Sequence, residues 1–228
     1  MTQSNKYAAR KPFTPKPVVY AAWGLLLTAL VMRFVPALET VALVLYAVGL
    51  IALCVLALTA PKKGTLAVPH VILPMMAAAF LILGCTIGMR PNKSPLVWRS
   101  ILLALILLIP LMISEKQAAA DIDRGRFAAR VFVVVGTVWI SCAFWLIATN
   151  SVFDADVGMS HISTVTQTRA TSRYCYMDVV WDGRTLGFPV SKEDFSAISA
   201  GDEVLATEYD GFWGAPYYTW DYPQEEAD

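Results

Sequence analysis

Five apolar segments, each close to the length a helix needs to cross a bilayer, occupy most of residues 18–149, and no comparable segment follows them. A hydrocarbon core of about 30 Å takes about 20 apolar helical residues to span. The segments run Val18–Leu38, Glu39–Ala60, Val68–Met89, Pro95–Ile113 and Arg130–Thr149. Beyond residue 150 the chain turns charged, rich in Tyr and Trp, and punctuated by turn dipeptides. The expected fold class is therefore a multi-pass α-helical membrane protein with five transmembrane helices. A small all-β soluble domain, an SH3- or OB-like barrel or curled sheet, follows at its C-terminal end.

The charge distribution divides at the same place. Residues 1–150 carry 14 Lys/Arg against 4 Asp/Glu, and residues 151–228 carry 4 against 14, so a net charge of zero conceals two opposed halves. A basic embedded half suits the anionic cytoplasmic leaflet. An acidic soluble half repels phosphate, which argues against nucleic acid as a partner. The expected segments are a basic cytoplasmic lead-in over 1–17, the helical domain over 18–150, the β domain over 151–220, and an acidic disordered tail over 221–228.

Orientation follows from the positive charges that flank the spans. Lys6, Arg10, Lys11 and Lys16 precede the first, Lys62 and Lys63 follow the second, and Lys116, Arg124, Arg126 and Arg130 lie between the fourth and fifth. The alternate loops hold few. The amino terminus is expected in the cytoplasm of a bacterial inner-membrane protein, with the C-terminal domain outside. The first span is a signal anchor, since its apolar run is long and leads directly into a second.

The spans hold little that suggests chemistry. Ionisable residues deep in a bilayer are costly and usually functional, yet no Asp, Glu, Lys or His occupies the middle of any span. Arg33 and Glu39 at the first turn, and Trp98 and Arg99 at the start of span four, read as membrane-interface anchors. Gly84 and Gly88 form a GxxxG pair suited to close helix approach. Cys54, Cys85, Cys142 and Cys175 show no CxxC or metal-ligand spacing and read as buried small hydrophobes. No cofactor or metal is expected.

In the C-terminal part, residues 173–181 alternate in polarity and end at Asp182-Gly183, a type I′ hairpin signal. A two-residue loop pairs Trp181 with Arg184, Val179 with Leu186, Met177 with Phe188 and Cys175 with Val190. Ser191-x-x-Asp194 opens a short helix, Glu203–Tyr209 reads as a strand, and Asp210-Gly211 reads as a second tight turn returning through residues 212–218. A first strand is expected near residues 161–169.

Ser160, His161, Asp154 and Asp156 name a hydrolase set only nominally, because neighbours on a strand point to opposite faces, and no catalytic residue is assigned. The closing aromatics fill a core, rest at the membrane surface, or form a platform, for which Trp213, Tyr217, Tyr218 and Trp220 are the candidate interaction patch. The expected role is non-enzymatic: a β domain presented outside the membrane for interaction or assembly, with the lipid bilayer as partner and a protein as candidate partner. A small-solute permease or transport subunit is the alternative, and a lipid-directed enzyme a weaker third.

Overall fold

The computed structural model describes residues 16–59, 68–86, 90–91, 93–118, 124–172 and 174–223. The lead-in to residue 15, Lys62 and Lys63, Gly88, Arg173 and the tail from Gln224 lie outside them. The chain forms two compact units: Met1–Ile82 with Arg99–Trp145, and Leu83–Trp98 with Leu146–Asp228.

The first unit is helical. Helix α1 (Lys16–Phe34) gives way to a 3₁₀ turn, Pro36–Leu38, and α2 begins at Glu39 and runs to Thr59. Proline disfavours helical backbone in the residue before it, which stops α1 ahead of Pro36 and makes the pair a tight hairpin. Val18, Ala22, Leu25, Ala29 and Met32 recur at three- and four-residue steps and bury one stripe of α1. Gly49 on α2 lets Leu25 approach, since a Cβ there would meet Leu25 Cδ2 at 2.6 Å. Gly24, Gly84 and Gly136 have nothing within 4 Å of the same position.

Helices α3 (Val68–Cys85), α4 (Lys93–Ala118) and α5 (Arg124–Val152) complete the helical elements before the sheet. Pro74 is carried inside α3. Gly125 falls within the first turn of α5. Within the first unit, Trp145 Nε1 donates to the Leu43 carbonyl at 3.0 Å, Trp139 Nε1 to Ser100 Oγ at 3.1 Å, and Phe80 meets Phe144 edge-on at 5.7 Å. Among the described residues, three helices carry apolar stretches long enough to cross a membrane, Lys16–Phe34, Glu39–Leu56 and Val131–Val152; α3 and α4 hold shorter ones, His70–Gly84 and Pro95–Ile109. Leu27, Leu73, Leu102, Ile106 and Phe132 are exposed, a surface that water would not tolerate and lipid would.

The second unit is a curled antiparallel sheet, a half-barrel, whose strands β1 (Arg90–Pro91), β2 (Met159–Ala170), β3 (Cys175–Trp181), β4 (Arg184–Val190), β5 (Glu203–Tyr209) and β6 (Tyr217–Asp221) lie in the order β1-β6-β5-β2-β3-β4. The long strand β2 (Met159–Ala170) makes the curl. Its first half pairs with β5 (Glu203–Tyr209) and its second half with β3 (Cys175–Trp181), with a bulge between Val165 and Gln167. A bulge bends and twists a strand. The β3–β4 hairpin has the expected register from Cys175↔Val190 to Trp181↔Arg184, and Asp182 and Gly183 both take positive φ, as a type I′ turn requires. Met177, Val179, Phe188, Val204 and Ala206 form the core of the concave face.

Helix α6 (Lys192–Ala197) starts where expected: Ser191 caps it, accepting from the Asp194 amide at 3.0 Å and donating to Asp194 Oδ2 at 2.6 Å. The Ser191 hydroxyl, with Tyr222 second, holds the Asp194 carboxyl below its ordinary value.

Two features depart from expectation. The two-residue strand β1 (Arg90–Pro91), from the segment between α3 and α4, pairs with β6 through Arg90↔Tyr218 and Pro91↔Tyr217. And the return from β5 is no tight turn. Strand β6 begins only at Tyr217, opposite Tyr209, leaving residues 210–216 as a loop. Its amides have another use.

Candidate functional site: the joint at the end of α5

The last residues of α5 belong to the same compact unit as the sheet, and they meet the loop after β5. Asn150 is 1% exposed and engages the loop three times. Its backbone carbonyl accepts from the Phe212 amide at 2.9 Å, its Oδ1 accepts from the Trp213 amide at 3.0 Å, and its Nδ2 donates to the Ala215 carbonyl at 2.8 Å. Thr149 Oγ1 accepts from the Trp213 indole at 2.8 Å. Past the helix, Asp154 Oδ2 takes the Gly211 amide at 3.0 Å and Asp156 Oδ2 takes that of Asp210 at 3.3 Å. Four successive loop amides, 210–213, thus donate to acceptors at the end of one helix and the residues just after it. Gly214 closes the turn by donating to the Gly211 carbonyl at 2.7 Å.

The sequence makes this close approach possible through Gly211. Its φ is +76°, and a Cβ there would lie 2.4 Å from the Ala215 carbonyl oxygen and 2.5 Å from Asn150 Nδ2. Any other residue would be strained and would also push Asn150 away. Tyr217 lies beneath the joint, stacked on Tyr209 with centroids 4.8 Å apart. Burial first, and the nearby Asp154 carboxylate second, push its phenol well above the ordinary tyrosine range.

The four candidate patch residues fall in different places. Trp213 and Tyr217 serve the joint. Tyr218 and Trp220 lie on the opposite face of β6 from Tyr217, half-buried against the sheet core. Tyr218 donates to Glu208 Oε1 at 2.8 Å and meets Trp181 edge-on at 5.9 Å; Trp220 meets Tyr222 edge-on at 5.4 Å. The proposed anchors Arg33, Trp98 and Arg99 are exposed, and Glu39, the first residue of α2, is half-buried. Ser160 and His161 do face opposite ways: Ser160 shares a hydrogen bond with Thr207 at 2.9 Å, while His161 packs on Trp181 at 4.9 Å. Cys54 and Cys142 are buried and Cys175 half-buried. Among the described residues, no group of three or more His, Cys, Asp or Glu is placed to hold a metal ion.

Thr149, Asn150 and Asp154 were not singled out for this role from the sequence. The signal was a Thr-Asn pair closing an apolar run, followed within six residues by two carboxylates. Such groups have to find donors once buried. The arrangement is one of fastening: the named groups of Thr149, Asn150, Asp154 and Asp156 hold the loop. The chain matches no family model, no curated protein and no solved structure.

Proposed function

We propose that this chain is a five-span plasma-membrane protein that presents its half-barrel outside the cytoplasm for interaction or assembly, without catalytic activity of its own. The observation that carries this is the joint. The residues that lead into the sheet, Thr149, Asn150, Asp154 and Asp156, are bonded to its loop, so the sheet and its entry segment are one ordered domain rather than a trailing chain. Such preorganisation favours recognition, because less freedom is lost when a partner docks.

The number of crossings is supported by β1. With the amino terminus inside, α1 and α2 return the chain to the cytoplasm. Arg90–Pro91 pairs with the same sheet that the joint fixes to the end of α5. If that sheet is outside, α3 must cross to deliver β1 to it, and α4 must cross back before α5 leaves. Five crossings follow, though the apolar stretches of α3 and α4 are the shorter ones. A phosphatase fused after Asp228 is expected to be active and one fused after Ala118 inactive; the reverse pattern would overturn the topology.

Interaction itself is tested with the full chain, tagged at its amino terminus and extracted in mild detergent. The expected result is a stoichiometric second protein that the chain lacking residues 155–228 fails to retain. Retention of the same protein by the shortened chain would sink the proposal. The permease alternative has weaker support. A groove of about 280 Å³ in the helical unit is lined by Ile101, Ala104, Leu105, Leu108, Val135 and Trp139, an apolar surface unsuited to a polar solute.

A further inference from the structure

We propose that the joint is also a lipid contact, with Phe212 and Val157 set into the interfacial layer of the same bilayer that α5 crosses. The inference rests on α5 being a span, as proposed above, and goes beyond it in assigning a membrane-bound face to the β domain.

Continuity with the helix is the first argument. The apolar stretch of α5 covers Val131–Val152, which is 22 residues and about 33 Å at the helical rise, enough for one hydrocarbon core. Phe153 comes next, where a span meets headgroups. It meets Phe212 edge-on at 5.7 Å, and Phe212 meets Trp213 edge-on at 5.0 Å. The apolar surface of the helix thus continues into the loop as three aromatic rings, the residue class that concentrates at membrane interfaces.

Exposure is the second argument. Phe212 is 52% exposed and Val157 is 90% exposed, although both flank a joint whose centre is buried. Asp156, the neighbour of Val157, accepts from Asp210, two residues before Phe212, so the two segments run side by side.

Backbone chemistry is the third. A loop normally stays out of a dehydrated layer because its open amides lose water there. Here the amides of residues 210–214 all have partners, and the Trp213 indole is held by Thr149. The loop can lie against lipid without leaving an amide of that run unbonded. A soluble partner protein would cover the same apolar atoms, but it would have no reason to meet them at the foot of a span.

The test uses the full chain in nanodiscs of phosphatidylcholine and phosphatidylglycerol, with photoreactive benzoylphenylalanine placed singly at four positions. Positions 212 and 157 report the proposed contact. Position 185, exposed on β4, is the aqueous control, and position 106, where Ile106 is 66% exposed on α4, is the lipid control. After irradiation, mass spectrometry is expected to find the added mass of one phospholipid at 212, 157 and 106 but not at 185. Adducts at 106 with none at 212 or 157 would overturn the lipid contact and leave the span intact. Absence at 106 as well would overturn the membrane reading and this inference with it. Adducts at 212 to a second copy of the chain would make the face a protein contact and overturn the proposal. If the bulky label at 212 prevents folding, position 157, exposed and free of the joint's hydrogen bonds, carries the same decision.

Discussion

The helical unit and the sheet unit are built from opposite materials. In the first, stripes such as Val18–Ala22–Leu25–Ala29–Met32 pack, and side-chain bonds such as Trp145 to the Leu43 carbonyl join segments distant in sequence. In the second, the decisive contacts are polar and clustered: four loop amides, two carboxylates, an Asn and a Thr converge within one joint. The difference teaches where specificity comes from in each setting. Helices in lipid satisfy their own backbone and are left with shape to distinguish partners. A loop has no such internal ladder, so its backbone bonds go to a particular neighbour and name it.

That contrast is broken most severely by attacking the sheet core. Phe188 is fully buried among Met177, Val179 and Val204. Phe188→Ala is expected to destabilise the second unit by about 3–5 kcal/mol. Hydrogen exchange of the full chain in detergent checks this: amides of β3 and β5 should lose protection while those of α1 and α2 keep theirs. Equal loss in both would show that the two units unfold as one body and that the comparison is false.

The joint comes next in size. Asn150→Leu keeps the number of side-chain heavy atoms but leaves the Trp213 amide and the Ala215 carbonyl without their Asn150 partners, at about 1–3 kcal/mol for each. Exchange should accelerate across residues 210–216 first. Unchanged protection there would mean that Gly211 and the aspartates hold the loop without Asn150.

How much of this was legible beforehand depends on how local each determinant is. The β3–β4 hairpin was readable to the residue because Asp182-Gly183 dictates a turn, and the turn dictates the register. Ser191 and Asp194 announced α6 in the same way. The α5 joint was not readable, because Asp210-Gly211 looks like a tight hairpin turn by itself. Only Asn150, some 60 residues upstream, reveals that these amides are taken. β1 was hidden for a similar reason: two residues carry no periodicity, and their strand exists only because Tyr217 and Tyr218 offer an edge. The four candidate patch residues divide because Tyr217 and Tyr218, adjacent in sequence, face opposite sides of β6.

Tyr217→Phe sharpens the account of the joint through pH. The mutation removes a buried hydroxyl beside Asp154 and should cost about 1 kcal/mol near neutrality. The folded state keeps this phenol protonated to a higher pH than the unfolded chain does. Its contribution is therefore complete below about pH 10, where unfolded tyrosine begins to ionise, and is lost as pH rises through the raised folded value. Melting temperatures of wild type and variant, compared across that alkaline range, should converge as pH increases. A gap that widened with pH would mean that Tyr217 is not the group held neutral.

The smallest effect belongs to the helical unit and is the most telling for the contrast. Trp139→Phe deletes the indole bond to Ser100 while keeping an aromatic ring between α4 and α5. In water, leaving a buried hydroxyl short of one donor would be felt; inside a bilayer, side-chain hydrogen bonds between helices average only about 0.6 kcal/mol, because the unfolded chain in lipid also finds partners. Thermal unfolding in detergent should therefore shift far less for Trp139→Phe than for Asn150→Leu, although each removes a tryptophan- or asparagine-mediated bond between segments distant in sequence. Equal shifts would mean that the helical unit depends on polar contacts as the joint does, and that the shape of its apolar stripes is not what holds it.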